Sequence, residues 1–155
     1  MSKSLKRVSA ALEGEATEIR ETGEAKTAQQ AAAELGVEVD QIAKSIIFQG
    51  QTTGEALLFV TAGGNQVCEH KAAALAGEPL GRVDAALVRA QTGFAIGGVS
   101  PLAHKAAIRS FFDLRLMDFA LIWAAAGTPH HVFSLTPARL LEKSKAQLSD
   151  FYTQK

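Results

Sequence analysis

Two neighbouring apolar segments constrain the fold of this 155-residue chain more than any other feature. Residues 44–48 (Lys-Ser-Ile-Ile-Phe) and residues 56–61 (Ala-Leu-Leu-Phe-Val-Thr) are rich in the branched and aromatic side chains that are typical of β-strands. Gly50 and Gly54 lie between them and favour a turn. Because the second segment is apolar at nearly every position, it predicts a strand buried on both faces. The sequence therefore predicts a buried β-hairpin.

Helical patterns flank this hairpin. The clearest covers residues 27–35, where Thr27 and Gln30 have the spacing of a capping box and Gly36 supplies the left-handed residue that ends a helix. Further helices are predicted at residues 4–14 with Ser4 as the cap, at 69–76, at 84–89, and from Thr136-Pro137 onward with Leu140, Leu141 and Leu148 on the apolar face.

Extended patterns supply the other strands. They are predicted at residues 16–21 with Ile19 facing inward, near Val67, and at residues 94–96, 107–114, 121–125 and 131–135. Helices and hairpins are mixed without a repeating βαβ unit, and the length suits one domain. We therefore expect a single α+β domain with a curved, barrel-like, mostly antiparallel mixed sheet flanked by helices.

The charge balance limits the partners. Sixteen basic and sixteen acidic residues cancel, so no global field attracts the protein to a long duplex, and we expect no DNA partner. The single cysteine, Cys68, permits a reducing compartment. No signal-peptide pattern and no apolar stretch long enough to cross a bilayer occur, which indicates a cytoplasmic protein without a membrane partner. No metal-ligand spacing, P-loop or dinucleotide fingerprint is present, so we expect no metal or cofactor.

Lys44 is the first candidate for chemistry, because it lies where a predicted helical turn gives way to the buried hairpin. Most lysines are simply solvated, and that interpretation stays open for Lys44 on the pattern alone. Alternatively, its ammonium group lies at the mouth of a pocket and orients an ester carbonyl or a phosphate as a point charge.

A glycine-rich bend at residues 97–101 is the second candidate. Gly97 and Gly98 lack Cβ atoms, so the backbone can approach a ligand closely, and successive amides can form a hole for a developing oxyanion. Val99, Ser100 and Pro101 complete the bend and are candidate substrate contacts. The alternative is a turn that merely requires glycine.

A second bend, at residues 127–131, offers Gly127, Thr128 and His130 as candidate substrate contacts. The adjacent His130 and His131 would point to opposite faces of a strand, so they cannot form a simple metal pair. Lys105 and Arg109 follow the first bend and are candidate contacts for tRNA phosphates, although a solvated surface is the alternative.

Taken together, these pieces resemble the YbaK/prolyl-tRNA synthetase-associated domain family. The resemblance runs from about residue 27 to 141 and rests on the 27–36 helix, Ile42-Ala43-Lys44-Ser45-Ile46-Ile47-Phe48, Gly97-Gly98-Val99-Ser100-Pro101 and Ala126-Gly127-Thr128-Pro129. The chain departs from many relatives after the loop proline, where it has Leu102-Ala103 rather than an aromatic–glycine pair. The last of the four pieces is more similar to the free-standing deacylases than to the domain inserted in the synthetase.

The resemblance implies a function. In that family the residues matching Lys44 and the Gly97–Pro101 loop form an editing pocket that hydrolyses the ester of a mischarged tRNA, often tRNA for proline. We therefore expect a trans-editing deacylase whose substrate is a tRNA acceptor end carrying a small wrong amino acid, such as alanine, serine, threonine or cysteine. An aminoacyl-tRNA synthetase is a further expected partner.

Two other functions remain open at this point. A fold can persist after its site is lost, so a non-catalytic module that binds tRNA or a synthetase is one alternative. An adaptor that docks on a synthetase is another.

Overall fold

The computed structural model describes residues 2–23 and 27–154. In these residues the helices are α1 (Lys3–Ala11), α2 (Ala28–Leu35), α3 (Glu69–Ala76), α4 (Ala85–Thr92) and α5 (Pro137–Ser144). The strands are β1 (Ile19–Glu21), β2 (Ile42–Gly50), β3 (Ala56–Ala62), β4 (Asn65–Val67), β5 (Leu80–Gly81), β6 (Arg109–Asp113), β7 (Ile122–Thr128), β8 (His131–Leu135), β9 (Gln147–Ser149) and β10 (Tyr152–Gln154). Two short 3₁₀ helices cover Val39–Gln41 and Leu114–Asp118.

The main sheet is built around the predicted hairpin. Its strand order is β1-β8-β7-β2-β3-β6-β9, with β5 joined to β2, while β4 and β10 pair separately. The β2–β3, β2–β5, β1–β8 and β7–β8 pairs are antiparallel, whereas β2–β7, β3–β6 and β6–β9 are parallel. The expected α+β class with a mixed, mostly antiparallel sheet and flanking helices is confirmed. Across the described residues the order runs from edge strand β1 to edge strand β9 without joining them.

β3 is buried along its whole length, as its sequence predicts. Alternate side chains enter two different clusters, because successive residues of a strand point to opposite faces. Leu58 and Val60 belong to the larger cluster, which α1 also contributes to. Leu57 and Phe59 belong to the other, where the Phe59 ring stacks on that of Phe111 at a centroid distance of 4.9 Å. Helices and the C-terminal segment therefore cover both faces of this strand.

Several predicted local signals are confirmed. Thr27 Oγ1 accepts a hydrogen bond from Gln30 N (3.1 Å) at the start of α2, and Gly36 has the left-handed conformation at its end. Thr136 Oγ1 likewise accepts from Arg139 N, with Pro137 in the first turn of α5. Capping depends on neighbours three or four residues away, so it can be predicted locally.

Other local predictions are wrong, each for a tertiary reason. Residues 94–96 form no strand, because the buried Thr92 hydroxyl accepts from Phe94 N (3.0 Å) and holds this backbone against the end of α4. Ile19 does not face inward; it is 37% exposed, since β1 is a three-residue edge strand. Leu148 lies in β9 rather than on α5, because Lys145 adopts a left-handed conformation and ends that helix.

The start of the chain also differs. Ser2, not Ser4, caps α1: its Oγ accepts from Leu5 N at 3.1 Å. Because α1 begins earlier than predicted, Leu5 lies in its first turn. Leu5 and Val8 are the buried residues of this helix.

Buried Asp113 fixes the end of β6 against the end of β3. Its Oδ2 accepts from Ala62 N and Asn65 Nδ2, both at 2.9 Å, and its Oδ1 accepts from Arg115 N at 2.8 Å. The carboxylate thus satisfies donors from three separate segments.

We predict that Asp113→Ala lowers the free energy of unfolding by about 3 kcal/mol, because it leaves buried donors without an acceptor. Asp150→Ala is the matched control, since Asp150 is exposed and makes one ion pair with Lys71 (3.1 Å). That change should cost about 0.5 kcal/mol or less. Urea denaturation of the two variants checks the difference, and equal losses would contradict it.

Candidate active site

A cavity opens where β2 and β7 separate. The two strands pair only through Ile42 with Trp123 and Ala43 with Ala124. Beyond this short ladder lies a cavity of about 440 Å³. Its walls come from β2, β7, the start of α2 and the two predicted bends; among the lining residues are Lys44, Gly63, Gly97, Val99, Thr128 and His131.

Lys44 contributes the ammonium group of this cavity. It is the third residue of β2, lies opposite Thr61 of β3 and is half-buried. Its Nζ donates to the carbonyl oxygen of Gly63 at 3.2 Å. Strand pairing and this bond together hold the positive charge at the cavity wall.

The first glycine bend also reaches the cavity. Gly98 N donates to Ala95 O (3.0 Å) and closes a turn in which Gly97 has φ of +93°. A Cβ on Gly97 would meet no atom within 4 Å, so this position faces open space. A Cβ on Gly98 would instead lie 2.8 Å from the backbone carbon of Thr128. Gly97 therefore exposes the backbone to the cavity, while Gly98 permits direct backbone contact between the two bends.

The remaining residues of that bend form its buried base. Val99 lines the cavity and is 5% exposed, whereas Ser100 and Pro101 are buried and do not line it. The Ser100 carbonyl oxygen is bonded to His104 Nε2 at 2.7 Å. Burial holds the pKa of His104 below its usual value. A neutral imidazole that donates from Nε2 fits this contact.

The second bend supplies a hydroxyl–imidazole pair. Thr128 Oγ1 lies 2.7 Å from His131 Nδ1 and also accepts from His130 N at 3.1 Å. Thr128 and His131 both line the cavity. Gly127 does not, and a Cβ on it would lie 2.8 Å from Ser4 O, so this glycine permits close packing against α1.

His130, predicted as a substrate contact, does not line the cavity, whereas the adjacent His131 does. His130 is exposed at the turn, with Nδ1 3.3 Å from Gly23 O. His131 is the first residue of β8 and pairs with Thr128 of β7, so this pairing, and not the sequence pattern, brings it to the cavity.

Neither Lys105 nor Arg109 lines this cavity. Lys105 is exposed, in the loop after the first bend. Arg109 donates from Nη1 to Ala76 O (3.0 Å) at the end of α3. It pairs with Leu57, four residues along β3 from the partner of Lys44, which corresponds to about 13 Å along the strand.

The family of the chain follows from its sequence match. The model of the aminoacyl-tRNA editing domain matches residues 22–143, which include every cavity residue named above. The chain belongs to this family.

Three known proteins are similar to this chain over about three quarters of its length or more. The chain is 35% identical over 120 residues to the uncharacterized protein YwhH of Bacillus subtilis (strain 168), covering 76% of this chain and 74% of that protein. It is 39% identical to a crystal structure of a proposed trans-editing enzyme for prolyl-tRNA synthetase, with a TM-score of 0.89 and 99% of each chain covered. The hypothetical protein APE2540 is 25% identical with a TM-score of 0.83, over 98% of this chain and 100% of that one.

Trp123 and Ser45 are cavity residues that the sequence pattern does not single out. Trp123 is 3% exposed, and its Nε1 has no hydrogen-bond partner within the described residues; the same holds for Ser45 Oγ. The guanidinium group of Arg20 covers the Trp123 ring at 4.9 Å and is paired with Glu18. A single tryptophan in a strand pattern carries no sign of what lies beside it, so only the β2–β7 register brings it to the cavity.

No cluster of three or more His, Cys, Asp or Glu side chains suited to a metal ion occurs in residues 2–23 and 27–154. No helix in this part of the chain has the length and apolar character needed to cross a membrane.

We predict that Gly98→Ala destabilises the editing domain more than Gly97→Ala. The Gly98 methyl group would meet immobile backbone and cost about 2–3 kcal/mol. Gly97→Ala carries only the strain of a positive φ, about 1 kcal/mol. Chemical denaturation of both variants checks this order, and the reverse order would show that the bends are not in contact as described.

Proposed function

We propose that this protein is a trans-editing aminoacyl-tRNA deacylase, which hydrolyses the ester that joins a small wrong amino acid to the 3′ end of a tRNA. The main support is that Lys44 and the Gly97 bend line one cavity in a member of the aminoacyl-tRNA editing domain family. The 39% identical relative, described as a proposed trans-editing enzyme for prolyl-tRNA synthetase, makes tRNA for proline the first candidate.

Hydrolysis of such an ester requires a placed water and stabilisation of the oxyanion that forms. In the proposed reaction the water oxygen attacks the carbonyl carbon, and the tetrahedral intermediate collapses as the ribose oxygen leaves and takes up a proton. The Gly97 backbone amide is assigned to the oxyanion, because a dipole fixed in advance stabilises the developing charge without reorganisation. The Gly98 amide, predicted for the same role, instead donates to Ala95 O at 3.0 Å, and Gly98 does not line the cavity. Lys44 holds the carbonyl or the terminal phosphate as a point charge.

The Thr128–His131 pair is suited to holding the attacking water. The hydroxyl and imidazole lie 2.7 Å apart at the wall of the same cavity. With Nδ1 donating to Thr128 Oγ1, this bond orients the ring, and Nε2 is the nitrogen that accepts a proton from water. This role falls to His131 rather than His130, which does not line the cavity.

The cavity walls favour an uncharged amino acid. Among the described lining residues Lys44 carries the only fixed charge, and much of the rest is alanine, isoleucine, valine and tryptophan. Alanine, serine, threonine and cysteine fit such walls. Synthetases discriminate poorly between amino acids that differ by few atoms, so a second hydrolytic site has a clear use.

The proposed catalytic role of Lys44 can be tested directly. Lys44→Ala should lower deacylation of the preferred mischarged tRNA by at least about tenfold, because the carbonyl loses a fixed charge. Lys71→Ala is the matched control, since Lys71 is likewise half-buried, is paired with Asp150 and lines neither cavity. A panel of mischarged tRNAs, with ester loss measured for each, identifies the substrate.

The same assay separates this function from its alternatives. Gly97→Ala should also lower the rate, while circular dichroism shows a retained fold. Full activity in Lys44→Ala would contradict the proposed site. Binding of tRNA or a synthetase without ester loss on any substrate would favour a non-catalytic module.

A further prediction concerns the number of tRNA phosphates that the protein contacts. With no net charge, the protein should touch only the acceptor end, through two to four phosphates. This gives a slope of log affinity against log salt of roughly −1.5 to −3, at about −0.7 for each phosphate on a single strand. A slope near −8 would contradict so small a footprint.

Charge removal at Lys105 and Arg109 tests which residues make that contact. Each change should weaken binding of a tRNA substrate but leave the hydrolysis of a minimal aminoacyl ester unchanged. Arg109→Ala also removes a hydrogen bond to the end of α3, so its thermal stability is measured in parallel. Equal losses on both substrates would exclude a phosphate contact.

A further inference from the structure

A second cavity adjoins the candidate active site. It has a volume of about 440 Å³ and is lined by Lys44, Ile46 and Phe48 of β2 together with Gln66, Val67 and Glu69. Lys44 and Ile46 also line the first cavity, so these two residues lie between the two spaces. Any ligand whose ester lies at Lys44 therefore has room on both sides.

The floor of the second cavity is apolar. Ile46, Phe48 and Val67 are each half-buried. The Phe48 ring meets the buried Phe59 ring edge-on, at a centroid distance of 5.8 Å and an angle of 75°, which fixes its orientation. Aromatic and apolar surfaces of this kind are used to stack nucleobases.

The spacing along β2 matches a nucleoside. Residues 44, 46 and 48 point to one face at intervals of about 6.6 Å. An ester at Lys44 leaves the ribose to span the first interval, so the attached base would lie over Ile46 and Phe48. The catalytic groups all line the first cavity, and the second shares only Lys44 with them.

The rim offers hydrogen bonds that suit adenine. Gln66 and Glu69 are exposed, and the structure gives neither side chain a hydrogen-bond or ion-pair partner within the described residues. A carboxylate only accepts, whereas a glutamine amide also donates. Adenine presents an amino donor beside a ring-nitrogen acceptor, which complements Glu69 and Gln66 respectively.

We infer that the second cavity binds the adenine base of the tRNA 3′-terminal nucleotide, with its amino group at Glu69 and its ring over Phe48. The aminoacyl group then enters the first cavity from Lys44. This inference rests on the proposed deacylase function, but it concerns a separate set of residues.

Nucleotide binding tests the inference without requiring catalysis. Adenosine monophosphate and inosine monophosphate are titrated by calorimetry. They differ at position 6, which carries the amino group that would face Glu69 in one and a carbonyl in the other, and at N1, which accepts a hydrogen bond in adenine and donates one in hypoxanthine. The wild-type protein should bind the adenine nucleotide about tenfold more tightly, the effect of a hydrogen bond to a charged group.

Three variants show which side chains give the preference for adenosine monophosphate over inosine monophosphate. Glu69→Gln and Gln66→Ala should each reduce the ratio of the two affinities several-fold. Gln147→Ala is a matched control, since Gln147 is exposed on β9 and lines neither cavity, and it should retain the wild-type ratio. Equal binding of both nucleotides, or an unchanged ratio in Glu69→Gln, would overturn the inference.

Deacylation then separates this inference from the proposed function. A chemically acylated tRNA that ends in adenosine should react about tenfold faster, in kcat/KM, than the same tRNA ending in inosine, and Glu69→Gln should remove most of that difference. Equal rates on the two tRNAs would refute the adenine site and leave the deacylase intact. Selective binding of adenosine monophosphate without any ester loss would support the site and refute the deacylase.

Discussion

The backbone of β3 has no access to water, because every residue from Ala56 to Ala62 is buried. Its peptide groups must therefore find hydrogen-bond partners within the protein. β2 fills one side of the ladder from Ala43 to Gln49, and β6 fills the other from Arg109 to Phe112. Since both faces are buried as well, helices and the C-terminal strands must cover them. The arrangement of the other elements around β3 follows from this requirement.

The cavities arise where one edge of β2 lacks a strand partner. One edge of this strand is fully used by β3, and on the other edge β7 pairs with residues 42–43 and β5 with residues 49–50. Between them, residues 44–48 have no strand partner on that side among the described residues. Lys44 and Ile46, in this stretch, line both cavities. The position of the site is therefore a consequence of incomplete pairing next to a completely paired strand.

Close backbone approaches then bring distant segments to this opening. Gly98 allows the bend at residues 97–101 to touch Thr128, and Gly127 allows the second bend to touch Ser4 of α1. A side chain at either glycine would meet backbone, which cannot move aside. Thus the two bends, some thirty residues apart, form one wall with Gly97 and Thr128 both facing the cavity.

The sequence by itself determined what depends on near neighbours: the hairpin, the capped helices at Thr27 and Thr136, and the glycine positions. The resemblance added Lys44 and the Gly97 bend as a set, and both do line one cavity. Tertiary structure decided what depends on register and on distant partners. It put His131 rather than His130 in the wall, brought Trp123 beside β2, and held Arg109 at the end of α3. The physical reason is that capping and alternation act over two to four residues, whereas the β2–β7 register joins positions about eighty residues apart in the chain.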